Sequence, residues 1–190
     1  MSMLRGINGV SLLVCISFIL WRCDRVSTVE VESQVTLTQL LIEENDVQQW
    51  TQDADGYSTY KTADELYGLI NGGAEEYLNR GMIEGFQQNM SRSGTDYAAR
   101  VMVMDFGTIE KAVDFYNFKT SQISPTVKAG DYTPSIAVLD PAPLTGCYGY
   151  ARFRQFYLEF GFTGYGSEKS EAYNNAARFM EMFEVKINAK

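Results

Sequence analysis

The hydrophobic positions along this chain follow two different periods. Apolar residues recur at the i, i+3, i+4 spacing of amphipathic helices in three segments, 62–81, 108–124 and 167–183. Alternating or continuous apolar runs bounded by turn residues are typical of strands, and they occur at 83–91, 97–106, 135–139, 148–153 and 156–162. This order of segments predicts an α+β fold in which a mainly antiparallel sheet is packed by about three helices, with α/β/α-like layering.

Two pairs of the predicted strands are separated by short turns, and we expect each pair to form a hairpin. The run at 97–106 is apolar on both faces apart from Arg100, which predicts a central strand that is covered on both sides. Segments 104–108 and 158–162 share an apolar residue, an acid, Phe and Gly. The domain therefore has two interpretations: two related halves that share one sheet, or a chance similarity.

The segment 62–81 has signals for both ends of a helix. Thr62 and Glu65 have the spacing of a capping box, and Gly81 is a typical left-handed stop. The interior also contains glycines at 68, 72 and 73, each of which costs a helix about 1 kcal/mol relative to alanine. We predict one continuous helix in which the glycines allow the backbone to approach a sheet or another helix closely.

The border of the apolar face in this segment has two interpretations. In the first, Asn71 is a partly buried hydrogen-bonding residue and Gly72 is a packing notch. In the second, Asn71, Gly72 and Glu75 line a groove that binds a ligand. The pattern favours the first interpretation, because glycines inside elements most often serve close packing.

The same segment resembles a known family. The similarity rests on Leu66-Tyr67, Ile70-Asn71-Gly72-Gly73-Ala74-Glu75, Tyr77 and Gly81, and it extends more loosely through 104–107, 110–112 and Tyr116. These residues resemble the signature segment of the exported bacterial proteins catalogued as domain of unknown function 6599. The resemblance implies a domain type and an exported location. Because that family has no established activity, it implies no catalytic residues.

The first residues have the pattern of a targeting segment. Arg5 precedes a mostly apolar run at 10–21, which as a helix spans about 18 Å against about 30 Å for the hydrocarbon core of a bilayer. This length suits a signal peptide, and we treat 1–23 as a signal or lipoprotein-type leader. Three outcomes stay open for it: lipidation of Cys23, cleavage at another site, or retention as a short anchor. The only membrane contact that we expect is through this anchor or lipid.

The rest of the chain is long enough for one domain. We predict a polar linker with a possible first element at 24–48 and a single α+β domain at 49–190. Hydrophobic residues make up 45% of the chain and charged residues 21%, which is typical of globular proteins. A net charge of −8 argues against nucleic acid as a partner. With no disulfide framework, Cys147 is predicted to be a small buried hydrophobe.

The catalytic possibilities are narrow. The chain contains no histidine, which removes the commonest general base and every zinc site that uses histidine. We predict no catalytic residues, no metal and no cofactor. The favoured function is a non-enzymatic exported envelope domain, periplasmic or anchored as a lipoprotein, that binds an envelope protein or a small ligand. The alternative is a carboxylate-dependent hydrolase of an envelope polymer, with Glu75 as its candidate acid.

Overall fold

The computed structural model describes residues 35–70, 73–124, 126–142 and 146–189. The helices in these ranges are α1 (Ala63–Ile70), α2 (Ala74–Asn79), α3 (Ile109–Ser121) and α4 (Lys169–Asn188), preceded by a 3-10 turn at Leu37–Leu40. The strands are β1 (Trp50–Tyr60), β2 (Glu84–Arg92), β3 (Ala98–Asp105), β4 (Val127–Lys128), β5 (Ala137–Ala142), β6 (Gly146–Phe153) and β7 (Phe156–Thr163).

These strands form one antiparallel sheet in the order β1-β2-β3-β7-β6-β5-β4. The predicted hairpins are confirmed as β2 with β3 and β6 with β7, and the second turns so tightly that Phe153 lies opposite Phe156. Pairing of β3 with β7 joins the two hairpins at the centre of the sheet. The predicted α+β class with a mainly antiparallel sheet is therefore confirmed.

The two faces of the sheet contribute to two separate cores. Along β3, Val101 and Val103 belong to the first core, whereas Met102 and Met104 belong to the second. The first core contains the buried face of α4, and the second contains residues of α1, α2 and α3. Because alternate strand residues point to opposite faces, β3 is covered on both sides, as its two-sided apolar pattern predicts. The helices therefore lie in layers on both faces of the sheet.

The predicted ends of the 62–81 segment are confirmed. The Thr62 hydroxyl accepts from the Glu65 amide at 3.3 Å, and the Glu65 carboxylate accepts from the Thr62 and Lys61 amides at 3.0 and 2.8 Å. At the other end, Gly81 has a φ of +92° and donates to the Leu78 carbonyl at 2.9 Å. Local chemistry at both ends is therefore sufficient to start and stop helical structure here.

The prediction of one continuous helix between these ends is wrong. Helix α1 ends at Ile70 and α2 begins at Ala74, with Gly73 outside both. The prediction that the glycines serve close packing is also wrong where the structure describes them. A Cβ at Gly68 would meet no atom within 4 Å, and one at Gly73 would meet only Ile70 Cδ1, at 3.9 Å. The glycines instead lower the helical propensity of this segment, which makes a break less costly there.

The residues before the predicted domain also contact the sheet. Val35, Leu40, Ile42 and Val47 are buried in the first core. The Gln88 side chain on β2 accepts from the Ile42 amide at 2.8 Å and donates to its carbonyl at 3.2 Å. Residues 35–48 thus pack against the domain, whereas the leader and Cys23 lie outside the described residues.

Strand β1 has no counterpart among the predicted elements. Its residues are mostly exposed on both faces, and its pairing with β2 shifts between Gln52 and Tyr57. An edge strand of this kind lacks the apolar alternation on which the prediction of strands depends.

Two further sequence features have structural outcomes. Cys147 is fully buried in the first core, as predicted, and burial raises the pKa of its thiol to about 12. The similar segments 104–108 and 158–162 differ in structure, because Gly107 lies in a turn after β3 whereas Gly161 lies within β7.

None of the helices in the described ranges combines the length and the apolar character that a membrane-crossing helix needs.

Candidate functional site

A cavity of about 340 Å³ lies beside the break between α1 and α2. We call it the inner cavity. Its charged lining residues are Glu76, Arg100, Lys119 and Glu159, which come from α2, β3, α3 and β7. Its other lining residues are Leu69, Ile70, Gly73 and Tyr77. Four elements from distant parts of the chain therefore bring charges of both signs to one cavity.

The sheet register explains why Arg100 and Glu159 reach the same cavity. In the β3–β7 pair, Arg100 lies opposite Gly161 and Met102 lies opposite Glu159. Arg100 and Glu159 are thus diagonal neighbours on one face, with Cβ atoms that are typically about 7 Å apart or slightly less. Gly161 has no side chain at the position opposite Arg100, and the Tyr148 ring lies beside that position, 3.5 Å from where a Cβ would be.

Glu159 is held by neutral hydrogen-bond donors. The Tyr77 hydroxyl donates to Glu159 Oε2 at 2.9 Å, and the Tyr157 hydroxyl donates to the same oxygen at 3.5 Å. Burial raises the pKa of both phenols well above the ordinary range, and the charge of Glu159 raises it further. Both tyrosines therefore stay protonated at any physiological pH, so they orient the carboxylate without cancelling its charge.

Glu76 and Lys119 form an ion pair at the edge of the cavity. The Lys119 ammonium lies 3.4 Å from Glu76 Oε2 and 5.2 Å from the centre of the Tyr77 ring. These two charges largely neutralise each other, and the aromatic ring also stabilises the ammonium.

Arg100 differs from Lys119, the other cation in the cavity, in its exposure and in its partners. Its side chain is exposed, and no residue in the described part of the chain forms a hydrogen bond or an ion pair with it. An arginine in this state has its planar set of N–H donors available to a ligand.

Arg100 also lines a second cavity, of about 400 Å³. We call it the outer cavity. Asp53, Asn89, Tyr148 and Thr163 contribute to its lining, together with Arg100. The Asp53 carboxylate already accepts from the Ser91 hydroxyl at 2.6 Å. The charged groups available to a ligand are therefore concentrated in the inner cavity.

The sequence-predicted groove residues fall near the inner cavity, with different outcomes. Asn71 and Gly72 lie outside the described residues; in the sequence they separate Ile70 from Gly73, both of which line the cavity. Glu75 is exposed and is not among the described lining residues; its hydrogen bond with Tyr67 raises the pKa of that phenol. The neighbouring acid, Glu76, lines the cavity instead.

Sequence reasoning missed Arg100 and Glu159 as site residues. A signal existed for each, because each is a charged residue in the interior of a strand that is otherwise mainly apolar. Such a residue either lies at an open part of the sheet or needs a partner. The sequence does not reveal which two strands pair, and so it cannot show that the two charges share one cavity.

Arg100, Glu76 and Glu159 offer charge and hydrogen bonds, and the described lining residues include no thiol or imidazole. Among the described residues, no group of three or more acidic, histidine or cysteine side chains is placed to hold a metal ion. The arrangement can therefore bind charged groups of a ligand through complementary side chains.

Comparison with solved structures gives a match for the fold. The chain is similar to the extracellular domain of PknH from Mycobacterium tuberculosis, with a TM-score of 0.53 and 16% sequence identity. The match covers 81% of this chain and 95% of that chain. No family model and no curated protein sequence matches the chain. The resemblance to domain of unknown function 6599 thus stays a prediction, and the structural similarity establishes a shared α+β fold.

Proposed function

We propose that this protein is an exported, non-enzymatic domain that binds a small charged ligand in the inner cavity. The observation that carries the proposal is that Arg100 and Glu159 face one cavity without an ion pair between them in the described part of the chain. A volume of about 340 Å³ lies within the range of small-ligand pockets, which is about 300 to 1,000 Å³. Charges that form no ion pair in the described part of the chain gain charge-assisted hydrogen bonds when a complementary ligand binds.

The state of the acids supports binding over hydrolysis. A carboxylate-dependent hydrolase needs one acid free to donate a proton and a second free to act as base or nucleophile. Here Glu76 is paired with Lys119, and Glu159 accepts from Tyr77. Glu75, the acid named for a hydrolase, is exposed outside the cavity lining. Each acid thus has a role that does not require catalysis.

Three observations support an exported location. The apolar run at 10–21 suits a leader, the 62–81 segment resembles an exported family, and the fold is shared with an extracellular domain. We expect the full chain, expressed in bacteria, to occur in the membrane or periplasmic fraction, and intact mass to identify its N-terminus. An acylated Cys23 would establish a lipoprotein, and another N-terminus would indicate cleavage or a retained anchor. An unprocessed chain confined to the cytosol would contradict export.

The binding proposal predicts that filling the inner cavity abolishes binding. Gly73 has a φ of −99° and a ψ of −3°, a region that residues other than glycine also adopt, and a Cβ there would meet only Ile70 Cδ1, at 3.9 Å. We expect Gly73→Phe to place a ring in the cavity. The measurement is isothermal titration of the full chain with the proteinogenic amino acids, short carboxylates and short alkylamines at millimolar concentrations. At least one probe should bind the wild-type chain, and Gly73→Phe should lower its affinity at least about tenfold.

The matched control is Gly68→Phe. Gly68 lies on the same short segment, and a Cβ there also meets no atom within 4 Å, but Gly68 is not among the described lining residues. Gly68→Phe should therefore leave the affinity unchanged. If no probe binds the wild-type chain, or if both variants bind equally well, the proposed function is wrong.

A further inference from the structure

We infer that the ligand of the inner cavity is a zwitterion, namely an α-amino acid with an apolar side chain. This inference rests on the proposed function and names its ligand class. The inference depends on one cation, Arg100, and one anion, Glu159, which line the same cavity. They are diagonal neighbours on adjacent strands, and they form no ion pair with each other in the described part of the chain.

The carboxylate of such a ligand is matched by Arg100. A guanidinium presents parallel N–H donors at the spacing of the two oxygens of a carboxylate, and charge makes these hydrogen bonds stronger than neutral ones. The position opposite Arg100 on β7 is Gly161, which is covered by the Tyr148 ring, and no acidic side chain in the described part of the chain pairs with the guanidinium. Lys119 adds positive potential nearby, although its ammonium is paired with Glu76.

The ammonium of the ligand is matched by Glu159. An ammonium has three donors and no acceptor, so it needs oxygen partners, and a carboxylate is the strongest of these. The hydroxyls of Tyr77 and Tyr157 both donate to Glu159 Oε2. They fix the carboxylate in place and leave its other oxygen, Oε1, available.

Opposite charges in one cavity also disfavour ligands with a single charge. An anion that pairs with Arg100 is repelled by Glu159, and a cation that pairs with Glu159 is repelled by Arg100. A molecule that carries both charges on neighbouring groups satisfies both residues at once. Since specificity is a difference between affinities, this repulsion strengthens the selection of a zwitterion.

The apolar part of the cavity lining indicates which kind of side chain the ligand has. Leu69 and Ile70, at the end of α1, line the cavity and are only partly buried. Contact with them removes apolar surface of both partners from water, which favours an aliphatic side chain. Leucine is therefore a suitable probe.

The first experiment varies the ligand and leaves the protein unchanged. Leucine is compared by isothermal titration with isocaproate, which lacks the ammonium, and with isopentylamine, which lacks the carboxylate. We expect leucine to bind the full chain at least about tenfold more tightly than either analogue, because each charged hydrogen bond that is lost weakens binding by about this factor or more. Equal affinity for leucine and isocaproate would overturn the inference.

The second experiment varies the protein. In Arg100→Gln we expect the affinity for leucine to fall about tenfold, to the level of isopentylamine, while that for isopentylamine does not decrease. In Glu159→Gln, which keeps an acceptor for Tyr77, the affinity for leucine should fall to the level of isocaproate. Urea unfolding of each variant checks that it folds; if Glu159→Gln does not, Arg100→Gln and the ligand series still decide the question.

The outcomes separate the inference from the proposed function. If a singly charged probe binds as tightly as leucine and Gly73→Phe abolishes that binding, the zwitterion is wrong and the cavity is still a binding site. If leucine binds but neither Arg100→Gln nor Glu159→Gln changes its affinity, the assignment of these two residues is overturned. If no probe binds at all, both the inference and the proposed function fail.

Discussion

Replacing Phe179 with alanine should lower the free energy of unfolding by about 3 to 5 kcal/mol, the range for removing a large buried aromatic side chain. Phe179 lies on α4 and is fully buried. Its ring centre is 5.3 Å from that of Trp50, 5.4 Å from Phe162 and 6.4 Å from Phe160. The substitution leaves a cavity between the helix and two strands, because Trp50 lies on β1 and the other two rings lie on β7, so they cannot all move into the space.

The measurement is urea unfolding of the wild-type and variant chains, with the midpoint and slope compared. Asn174→Ala is the control: Asn174 lies on the exposed side of α4, and its replacement should change stability by no more than about 0.5 kcal/mol. A loss of less than about 1 kcal/mol for Phe179→Ala would contradict the packing of α4 against the sheet.

The elements that local sequence determines were predictable. The capping box at Thr62 and Glu65 and the stop at Gly81 depend on residues within one turn, and all three have the expected conformations. The same holds for α3, whose Thr108 hydroxyl accepts from the Lys111 amide at 3.3 Å. The β6–β7 hairpin was predictable because apolar alternation and a short turn occur together.

The break in the 62–81 segment shows why the middle of an element is less predictable than its ends. Apolar spacing continues through the break, so periodicity alone predicts one helix. Adjacent glycines at 72 and 73 weaken the helix there, but glycine accepts helical and other conformations alike. Only tertiary contacts decide between them. Ala74 and Tyr77 of α2 are buried in the second core together with Leu66 of α1, so both short helices are held by packing.

The sequence indicated the segment beside which the candidate site lies, but not the charged residues that line the site. The interest in Asn71, Gly72 and Glu75 came from unusual residues within one segment, and the inner cavity is indeed lined by Ile70 and Gly73 of that segment. Its charges at Arg100 and Glu159 come from strands that are far apart in sequence, and the register of β3 against β7 brings them together. One residue of slip would send either side chain to the other face. Because β3 and β7 are buried on both faces, the apolar pattern of the two strands does not show which register they adopt.

Replacing Gly164 with alanine should lower the free energy of unfolding by about 2 to 5 kcal/mol, a large loss for one added methyl group. Gly164 follows β7 and has a φ of +90°, a conformation that costs other residues about 1 to 2 kcal/mol. A Cβ there would also lie 2.1 Å from the Asp96 carbonyl oxygen and 2.8 Å from its carbon. Backbone atoms cannot rotate away as a side chain can, and forced overpacking adds about 1 to 3 kcal/mol.

Gly166→Ala separates the two causes. Gly166 also has a positive φ, +53°, but a Cβ there would meet no atom within 4 Å. This variant should show only the conformational cost, about 1 to 2 kcal/mol, so the difference between the two variants measures the contact with Asp96. Urea unfolding gives both values. Equal losses at the two positions would show that the turn after β7 does not press against Asp96. A larger loss for Gly164→Ala is expected because Tyr97 and Tyr165 stack beside this contact, with ring centres 3.9 Å apart, so neither segment can withdraw without separating the rings.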